Sequence, residues 1–169
     1  MNTIQSAAFS RLFFLLLSLS IFSSCDGRKS GSTLNNNNGH EVVVIASAGD
    51  QYLDSSYLPL VGNLCKVDKE SATEILVLGK REDIGERIYV EPIAGLTVTE
   101  KNNEKIVVIA VPVDAQGKTI GAENLMELSV EYGSVKRIIE QWYSGLNGLG
   151  STQSIKWDNK SRAQAVLSE

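Results

Sequence analysis

The side chains that could carry out chemistry are few and widely spaced in this sequence. Histidine occurs once, at His40, which disfavours a His-dependent nucleophilic triad and a metal site with several His ligands. The acidic residues are scattered, and no Asp-x-Asp pair is present to share a divalent cation. The glycine-rich stretch 145–150 follows an expected helix instead of preceding one, so it is interpreted as a helix end and not as a phosphate-binding loop. The residue types alone favour no particular reaction.

The first 25 residues have the pattern of a secretory signal. A positive Arg11 precedes an apolar run of 11 residues, 12–22, and small residues follow the run. A membrane-spanning helix needs roughly 20 apolar residues, so this run is too short for a permanent anchor. Ser23 and Ser24 directly before Cys25 resemble a bacterial lipobox, in which the Cys is lipidated on its thiol and becomes the new N-terminus. Residues 1–25 are therefore expected to be a lipoprotein signal peptide ending at Cys25; an ordinary signal peptide and a non-secreted chain are the alternatives.

Residues 26–40 are expected to form a flexible tether. The stretch is rich in Asn, Gly and Ser, and Leu34 is its one strongly apolar residue, so it cannot bury enough area to offset the cost of ordering. With lipid on Cys25, the protein would be anchored to a membrane of the bacterial cell envelope. Cys65 would then have no disulfide partner, and it is interpreted as a small buried hydrophobic residue.

Residues 41–169 are long enough for one domain with its own core. They contain 13 Lys and Arg against 19 Asp and Glu, so the domain is acidic. This balance excludes a nucleic-acid binder that depends on a basic surface.

Strand patterns come first in this domain and helix patterns come last. Pro92 and Gly95 interrupt the longest strand pattern, which indicates a bulge or a barrel corner. Strands first and helices after them predict an α+β fold with a small barrel. The expected strands are 42–45, 74–78, 86–99, 105–113 and 154–157; the expected helices are 124–128, 132–146 and 160–167, and 46–64 is expected to be irregular.

Several short segments follow one another in a recognisable order. In chain order, they are Tyr57-Leu-Pro59 near Gly62, Glu74-Ile-Leu-Val-Leu, Gly85 to Leu96, Thr99-Glu100, Ile109 to Pro112, Ile138 to Tyr143, and Lys156-Trp157. This order resembles that of the family I soluble inorganic pyrophosphatases. The resemblance covers about residues 42–165, and its specificity rests on the Pro92-x-x-Gly95 strand, on the Ala110-Val111-Pro112 strand end and on the order.

The resemblance implies a small five-stranded OB-like β-barrel flanked by two or three helices. It also implies Mg²⁺-dependent hydrolysis of diphosphate to phosphate, so that diphosphate or another phosphate compound would be the ligand. In this family aspartates hold several Mg²⁺ ions and activate a water, while Lys, Arg and Tyr clamp the phosphates.

Most positions that the family uses for metal binding carry other residues in this chain. The signature Asp-x-Asp-Pro-x-Asp corresponds to residues 69–74, and of its three aspartates only the last keeps a carboxylate, as Glu74. The next metal-binding aspartate corresponds to Glu100, and the Asp and Lys that follow it correspond to about Lys105 and Val107. Glu74 and Glu100 are therefore the metal-binding residues that the resemblance carries over.

The phosphate-clamping positions differ as well. The family's Tyr before Pro corresponds to Leu58, and its Arg before the Pro-x-x-Gly signal corresponds to Glu91, a reversal of charge. The late Tyr-Lys pair corresponds to residues 146–147, which are Leu and Asn. The stretch between Val44 and Tyr57, which in the family supplies a Lys, a Glu and an Arg, is shortened.

Three hypotheses remain open. In the first, the chain is a tethered member of the pyrophosphatase family that has lost activity and serves as a binding or structural domain, with an unknown protein partner. In the second, it is a phosphohydrolase with a rebuilt metal site that uses Glu74, Glu100 and either Glu70 or Asp114. In the third, it is an unrelated lipoprotein domain. Convergence of Glu74 and Glu100 on one cleft is required by the second hypothesis.

Replacing Cys25 by Ala should leave the chain unprocessed or released from the membrane, because the lipobox-like sequence places the lipid on this thiol. The measurement is incorporation of a labelled fatty acid in growing cells. Equal labelling of the wild type and of Cys25→Ala would contradict the anchor.

Overall fold

A computed structural model describes residues 39–53, 56–68, 70–101, 103–146 and 152–168. The expected signal peptide 1–25 and the expected tether up to residue 38 lie outside the described residues. The elements in chain order are β1 (His40–Ala46), β2 (Gln51–Tyr52), β3 (Ser56–Tyr57), β4 (Gly62–Lys66), β5 (Glu74–Leu78), β6 (Arg87–Glu100), β7 (Asn103–Pro112), α1 (Leu125–Val130), α2 (Gly133–Gly145), β8 (Thr152–Asp158) and α3 (Lys160–Leu167).

Five strands close into a ring in the order β1-β4-β5-β7-β6, and β6 pairs back onto β1. All neighbours in the ring are antiparallel except β5 and β7, which are parallel. β8 adds a sixth strand on the edge of β6. The prediction of an α+β fold class with a small five-stranded OB-like arrangement is confirmed.

Strand β4 corrects the sequence-based assignment. Residues 46–64 were expected to be irregular, yet β4 begins at Gly62 and pairs with both β1 and β5. β4 therefore supplies the fifth strand of the ring, while the expected last strand, now β8, lies outside the ring. A side chain at Gly62 would place Cβ 2.5 Å from the Val77 carbonyl oxygen, so the close approach of β4 to β5 requires glycine.

Strand β6 contains the bulge that Pro92 and Gly95 indicate in the sequence. Its register with β7 shifts between Pro92 and Ala94, which is a bulge at the residue that lacks a backbone N–H. Before the bulge β6 pairs with β1, and after it β6 pairs with β8, while β7 follows both halves. The two longest strands, β6 and β7, thus pair antiparallel on both sides of the bulge.

Two hydrophobic clusters occupy the two faces of the sheet. One combines alternate residues of the strands with Leu128 of α1 and with Ile139 and Tyr143 of α2. The other takes residues from all five strands of the ring, includes the fully buried Cys65, and packs against α3. Cys65 is thus the buried hydrophobic residue expected from the sequence, and burial, followed by the charge of Glu82, raises its pKa to about 12.

Side-chain caps start two of the helices. The side chain of Asn124 accepts a hydrogen bond from the Glu127 N–H at the start of α1, and Asn159 accepts one from the Arg162 N–H at the start of α3. Trp142 of α2 packs against the core, but its ring is only half-buried. The fully buried aromatic residue of this helix is its neighbour Tyr143.

Two adjacent isoleucines of α2 give a matched test of this packing. Ile139 is fully buried, whereas Ile138 is 40% exposed. Ile139→Ala should lower the free energy of unfolding by about 2–5 kcal/mol, and Ile138→Ala by less than about 1 kcal/mol, because only the first leaves a cavity. Urea unfolding followed by tryptophan fluorescence measures both; equal losses would contradict the buried face.

Candidate functional site

The carboxylate carried over at Glu74 forms an ion pair inside the domain. Glu74 is the first residue of β5 and pairs in register with Val107 of the parallel strand β7. Lys105 lies two residues earlier on β7 and so points to the same face of the sheet. Its Nζ is 2.5 Å from Glu74 Oε1, and the two side chains are 45% and 12% exposed, respectively. The position expected to hold a metal ion therefore carries a carboxylate bonded to an ammonium.

Tyr52 provides a second hydrogen-bond donor to Glu74 Oε1, in addition to Lys105. The Tyr52 hydroxyl, on β2, donates to this oxygen at 3.2 Å. Burial, then the negative charge of Glu74 and this hydrogen bond, raise the pKa of Tyr52 to about 12. The hydroxyl is thus held in its protonated form and acts as a donor to Glu74.

The inner side of this cluster contains two polar atoms without a hydrogen-bond partner among the described residues. They are Glu74 Oε2 and the hydroxyl oxygen of Tyr143, and both are buried. Burial is the main cause that raises the pKa of Tyr143 well above its usual value, and the charge of Glu74 is the next. The carboxylate and the phenol hydroxyl are thus two polar groups that the fold buries beside the core.

Trp142 forms the wall between this cluster and solvent. Its ring lies 5.8 Å from that of Tyr52 and 4.6 Å, edge to face, from that of Tyr143, measured between ring centroids. Its Nε1 donates to the backbone oxygen of Tyr57 at 2.9 Å, which ties α2 to β3. Lys105 and Tyr52 thus bind Glu74, and the rings of Tyr52, Trp142 and Tyr143 pack against one another beside it.

Glu100, the second carried-over metal ligand, lies elsewhere on the sheet. It is the last residue of β6 and pairs with Asn103 and Thr152. Asn103 is four residues from Val107, so Glu100 is displaced from Glu74 by about 13 Å along β7 and is separated from it by that strand. The structure places both at the same end of the sheet but does not bring them to one point.

The other acidic candidates are engaged in local structure. Asp114 follows the far end of β7, where its Oδ1 accepts hydrogen bonds from the N–H groups of Gln116 and Lys118. Glu70 is exposed, and its N–H donates to Asp68 Oδ1. Neither residue adds an oxygen ligand to the Glu74 cluster.

Mg²⁺, which the resemblance implies, does not fit these residues. The ion needs near-octahedral oxygen coordination, largely from carboxylates and water. Glu74 Oε1 is already bonded to Lys105 and Tyr52. Among the described residues, moreover, no group of three or more His, Cys, Asp and Glu side chains is placed to hold an ion.

A second polar cluster joins α2 to β8. Glu140 Oε1 accepts from Lys136 Nζ at 2.8 Å and from Trp157 Nε1 at 2.7 Å, and Lys136 lies 5.0 Å from the centroid of the Trp157 ring. The hydrogen bond from Lys136 is the main cause that lowers the pKa of Glu140; partial burial opposes it, and the Trp157 bond adds to it. Because every partner is internal, this cluster holds the helix against the sheet.

Sequence reasoning found Glu74 but missed its neighbours. Tyr143 had a signal, since it is four residues after Ile139 on the inner face of a predicted helix. Tyr52 had none, because its contact with Glu74 spans 22 residues of chain through a region without strand pattern. Lys105 was identified from the sequence only as the residue that stands where the pyrophosphatase family has an aspartate, and not as the partner of Glu74.

The solved structures that this chain resembles are inorganic pyrophosphatases. The enzyme from Neisseria gonorrhoeae superposes with a TM-score of 0.59 at 16% identity, over 78% of this chain and 88% of that one. The enzyme from Thermus thermophilus gives 0.58 at 14% identity, over 78% and 88%, and that from Coxiella burnetii gives 0.56 at 17%, over 78% and 92%. No protein-family model and no curated protein matches the sequence. At these identities the similarity establishes the fold.

Removing the ammonium from the Glu74 cluster should destabilise the domain. Lys105→Met leaves the buried carboxylate without its cation, and we expect a loss of about 1–3 kcal/mol, less than for a fully buried pair because Lys105 is nearly half exposed. Glu74→Gln combined with Lys105→Met should recover part of this loss. Both are measured by urea unfolding.

Arg87 provides the control for this cycle, since it pairs with Glu41 and both side chains are largely exposed, at 65% and 42%. Arg87→Met should change the free energy of unfolding by no more than about 0.5 kcal/mol. If Lys105→Met and Arg87→Met have the same effect, the ion pair at Glu74 does not support the fold.

Proposed function

We propose that this chain is a lipid-anchored domain of the bacterial cell envelope that uses the inorganic pyrophosphatase fold without hydrolysing diphosphate. In this proposal it acts as a binding or structural domain. The similarity of the fold to solved inorganic pyrophosphatases supports membership of that family. The ion pair and the hydrogen bond of Glu74 support the loss of diphosphate hydrolysis.

The Lys105–Glu74 ion pair is the observation that carries the proposal. Diphosphate is a tetra-anion, and its metal-dependent hydrolysis needs divalent cations that neutralise charge and lower the pKa of a bound water to about 7. Here the ammonium of Lys105 neutralises the carboxylate and is held there by the backbone of β7. A divalent cation would have to displace this ammonium and then find further carboxylate ligands, and the described residues provide no group of three or more acidic, His or Cys side chains there.

The surroundings of the former phosphate clamp support the same conclusion. Leu58, at the position of the family's Tyr, is buried in the core. Glu91, at the position of the family's Arg, forms an ion pair with Lys160 of α3, with 2.7 Å between Oε1 and Nζ. Both residues therefore have structural roles, and neither offers a donor to a phosphate oxygen. Preorganised donors of this kind are usually the largest contribution to catalysis of charge-developing reactions.

Support for the anchor comes from the sequence of residues 1–25 and from the state of the second cysteine. Cys65 is buried and its pKa is raised to about 12, so its thiol is unsuited to modification. Within the described part of the chain, no helix is both long enough and apolar enough to cross a bilayer. Cys65→Ala is thus the matched control for Cys25→Ala, and it should keep the fatty-acid label.

The catalytic test uses the purified full-length chain in detergent, with diphosphate and Mg²⁺, Mn²⁺ or Zn²⁺. We expect no phosphate release above the background without protein, and weak binding of a single ion at most, because the cations have no carboxylate cage. Release of phosphate is measured over time, with a soluble pyrophosphatase as the positive control.

Two variants show whether any diphosphate hydrolysis that is measured depends on the carried-over metal-binding position. Glu100→Gln removes the carried-over carboxylate, and Glu104→Gln removes an exposed carboxylate near the start of β7. Turnover of about 1 per second or more that is lost in Glu100→Gln but kept in Glu104→Gln would overturn the proposal in favour of a rebuilt metal site.

A further inference from the structure

A polar cavity of about 560 Å³ opens near the end of β7, away from the Glu74 cluster. Its walls come from the start of β1, from β6, from the segment between β7 and α1, and from α3. Glu91 in its wall pairs with Val111, four residues further along β7 than the partner of Glu74, so about 13 Å separates the two sites. Pockets that hold a whole small molecule usually measure about 300–1,000 Å³, so this cavity is large enough for one.

The cavity contains side chains of both charges. Lys160 Nζ lies 2.7 Å from Glu91 Oε1, so these two charges balance each other. Lys118 and Glu123 add one further ammonium and one further carboxylate. Within the part of the chain that the structure describes, these two residues are bonded through backbone groups alone, and no ion pair joins them. The charges left for a ligand are therefore one positive and one negative.

Hydrogen bonds fix the backbone that carries these two charges. Asp114 Oδ1 accepts from the N–H groups of Gln116 and Lys118 at 2.9 and 2.8 Å. The Asp114 N–H in turn donates to the Lys118 carbonyl oxygen at 2.9 Å. Glu123 comes just before α1, where its N–H donates to Glu127 Oε2 at 2.9 Å. Because both segments are ordered by internal bonds, a ligand has little backbone to order when it binds.

Uncharged polar groups complete the lining. They are the imidazole of His40, the hydroxyl of Thr119 and the amide of Gln164, and each of these side chains has donor and acceptor capacity. Gln164 lies one helical turn after Lys160 on α3, so the two side chains share a face of that helix. Apart from glycines, every residue that lines the cavity is polar or charged. This lining suits a hydrophilic ligand and not an apolar one.

A ligand with only one kind of charge does not match this cavity. A phosphate or a simple carboxylate would be attracted by Lys118 but repelled by Glu123, and a simple amine would meet the reverse. We propose that the cavity binds a small zwitterion, an amino acid or a short peptide, with its carboxylate beside Lys118 and its ammonium beside Glu123. The inference goes beyond the proposed function, and it holds whether or not the domain hydrolyses diphosphate.

The test uses the full-length chain in a nonionic detergent, with alanine and alanylalanine as probes. Saturation-transfer-difference NMR of each probe gives a Kd from a titration. N-acetylalanylalanine lacks the ammonium, alanylalanine amide lacks the carboxylate, and inorganic phosphate offers an anion alone. We expect saturable binding of alanine, of alanylalanine or of both, which also shows whether the site takes an amino acid or a peptide. Each blocked derivative should bind at least about fivefold more weakly than alanylalanine.

Two variants test the assigned contacts, and two others are matched controls. Lys118→Met and Glu123→Gln each remove one charge from the cavity, whereas Lys101→Met and Glu104→Gln remove exposed charges near the start of β7. The Kd for the zwitterion should rise at least about fivefold in the first pair and less than about twofold in the second. The factor is modest because Lys118 and Glu123 are exposed to solvent.

A cross-comparison of variants and derivatives separates lost contacts from misfolding. In Lys118→Met, alanylalanine and its amide should bind equally, because the carboxylate has lost its partner. In Glu123→Gln, alanylalanine and its N-acetyl derivative should bind equally for the corresponding reason. A misfolded variant would instead lose all the probes together, and the second variant then still tests the proposal.

Other results overturn the proposal. Absence of saturable binding by both alanine and alanylalanine would show that the cavity takes no small zwitterion. Equal affinity of the blocked derivatives and the parent in the unmodified chain would show that the two charges do not select the ligand. Tighter binding of inorganic phosphate than of either zwitterion would make it an anion site. Equal effects of Lys118→Met and Lys101→Met would place the bound probe outside this cavity.

Discussion

The described domain depends on one strand, β6, that has to pair with three others. β7 follows it along one edge, while β1 and β8 share the opposite edge. The bulge between Pro92 and Ala94 lets a single strand serve both partners, because an extra residue bends the chain at a position without a backbone donor. Closure onto β1 leaves β5 and β7 as parallel neighbours that begin at the same end, and this brings Glu74 and Lys105 together.

That contact shows how the charge of a buried carboxylate can be balanced from within the chain. A buried carboxylate needs a counter-charge, and either a metal ion or an ammonium can supply it. The ammonium of Lys105 is part of the chain, so the charge is balanced without any dissolved ion. An ammonium offers donors only and has no open coordination position, so it cannot lower the pKa of a bound water as a divalent metal ion does.

Much of the fold was predictable because its signals are local. Apolar runs and alternating patterns predicted β1, β5, β6 and β7, and helical spacing of apolar residues predicted α2. β4 escaped because its sequence, Gly62–Lys66, has no run of β-branched residues, and its strand form results from lying between β1 and β5. The site was predictable only where one residue replaces another in a familiar order, as at Glu74; the contact with Tyr52 depends on tertiary structure alone.

Helix α1 differs from the Glu74 contact, because part of its apolar surface is exposed to solvent and is not used in folding. This helix has six residues, too few to be stable alone, and Leu128 is its fully buried anchor. Met126 and Val130 point away from the core, so they contribute little to folding, and Val is a weaker helix former than many polar residues that would suit water. Exposure of these two apolar side chains to water lowers the solubility of the domain and adds no packing inside it. Folding of the domain therefore accounts for Leu128 but not for the apolar character of Met126 and Val130.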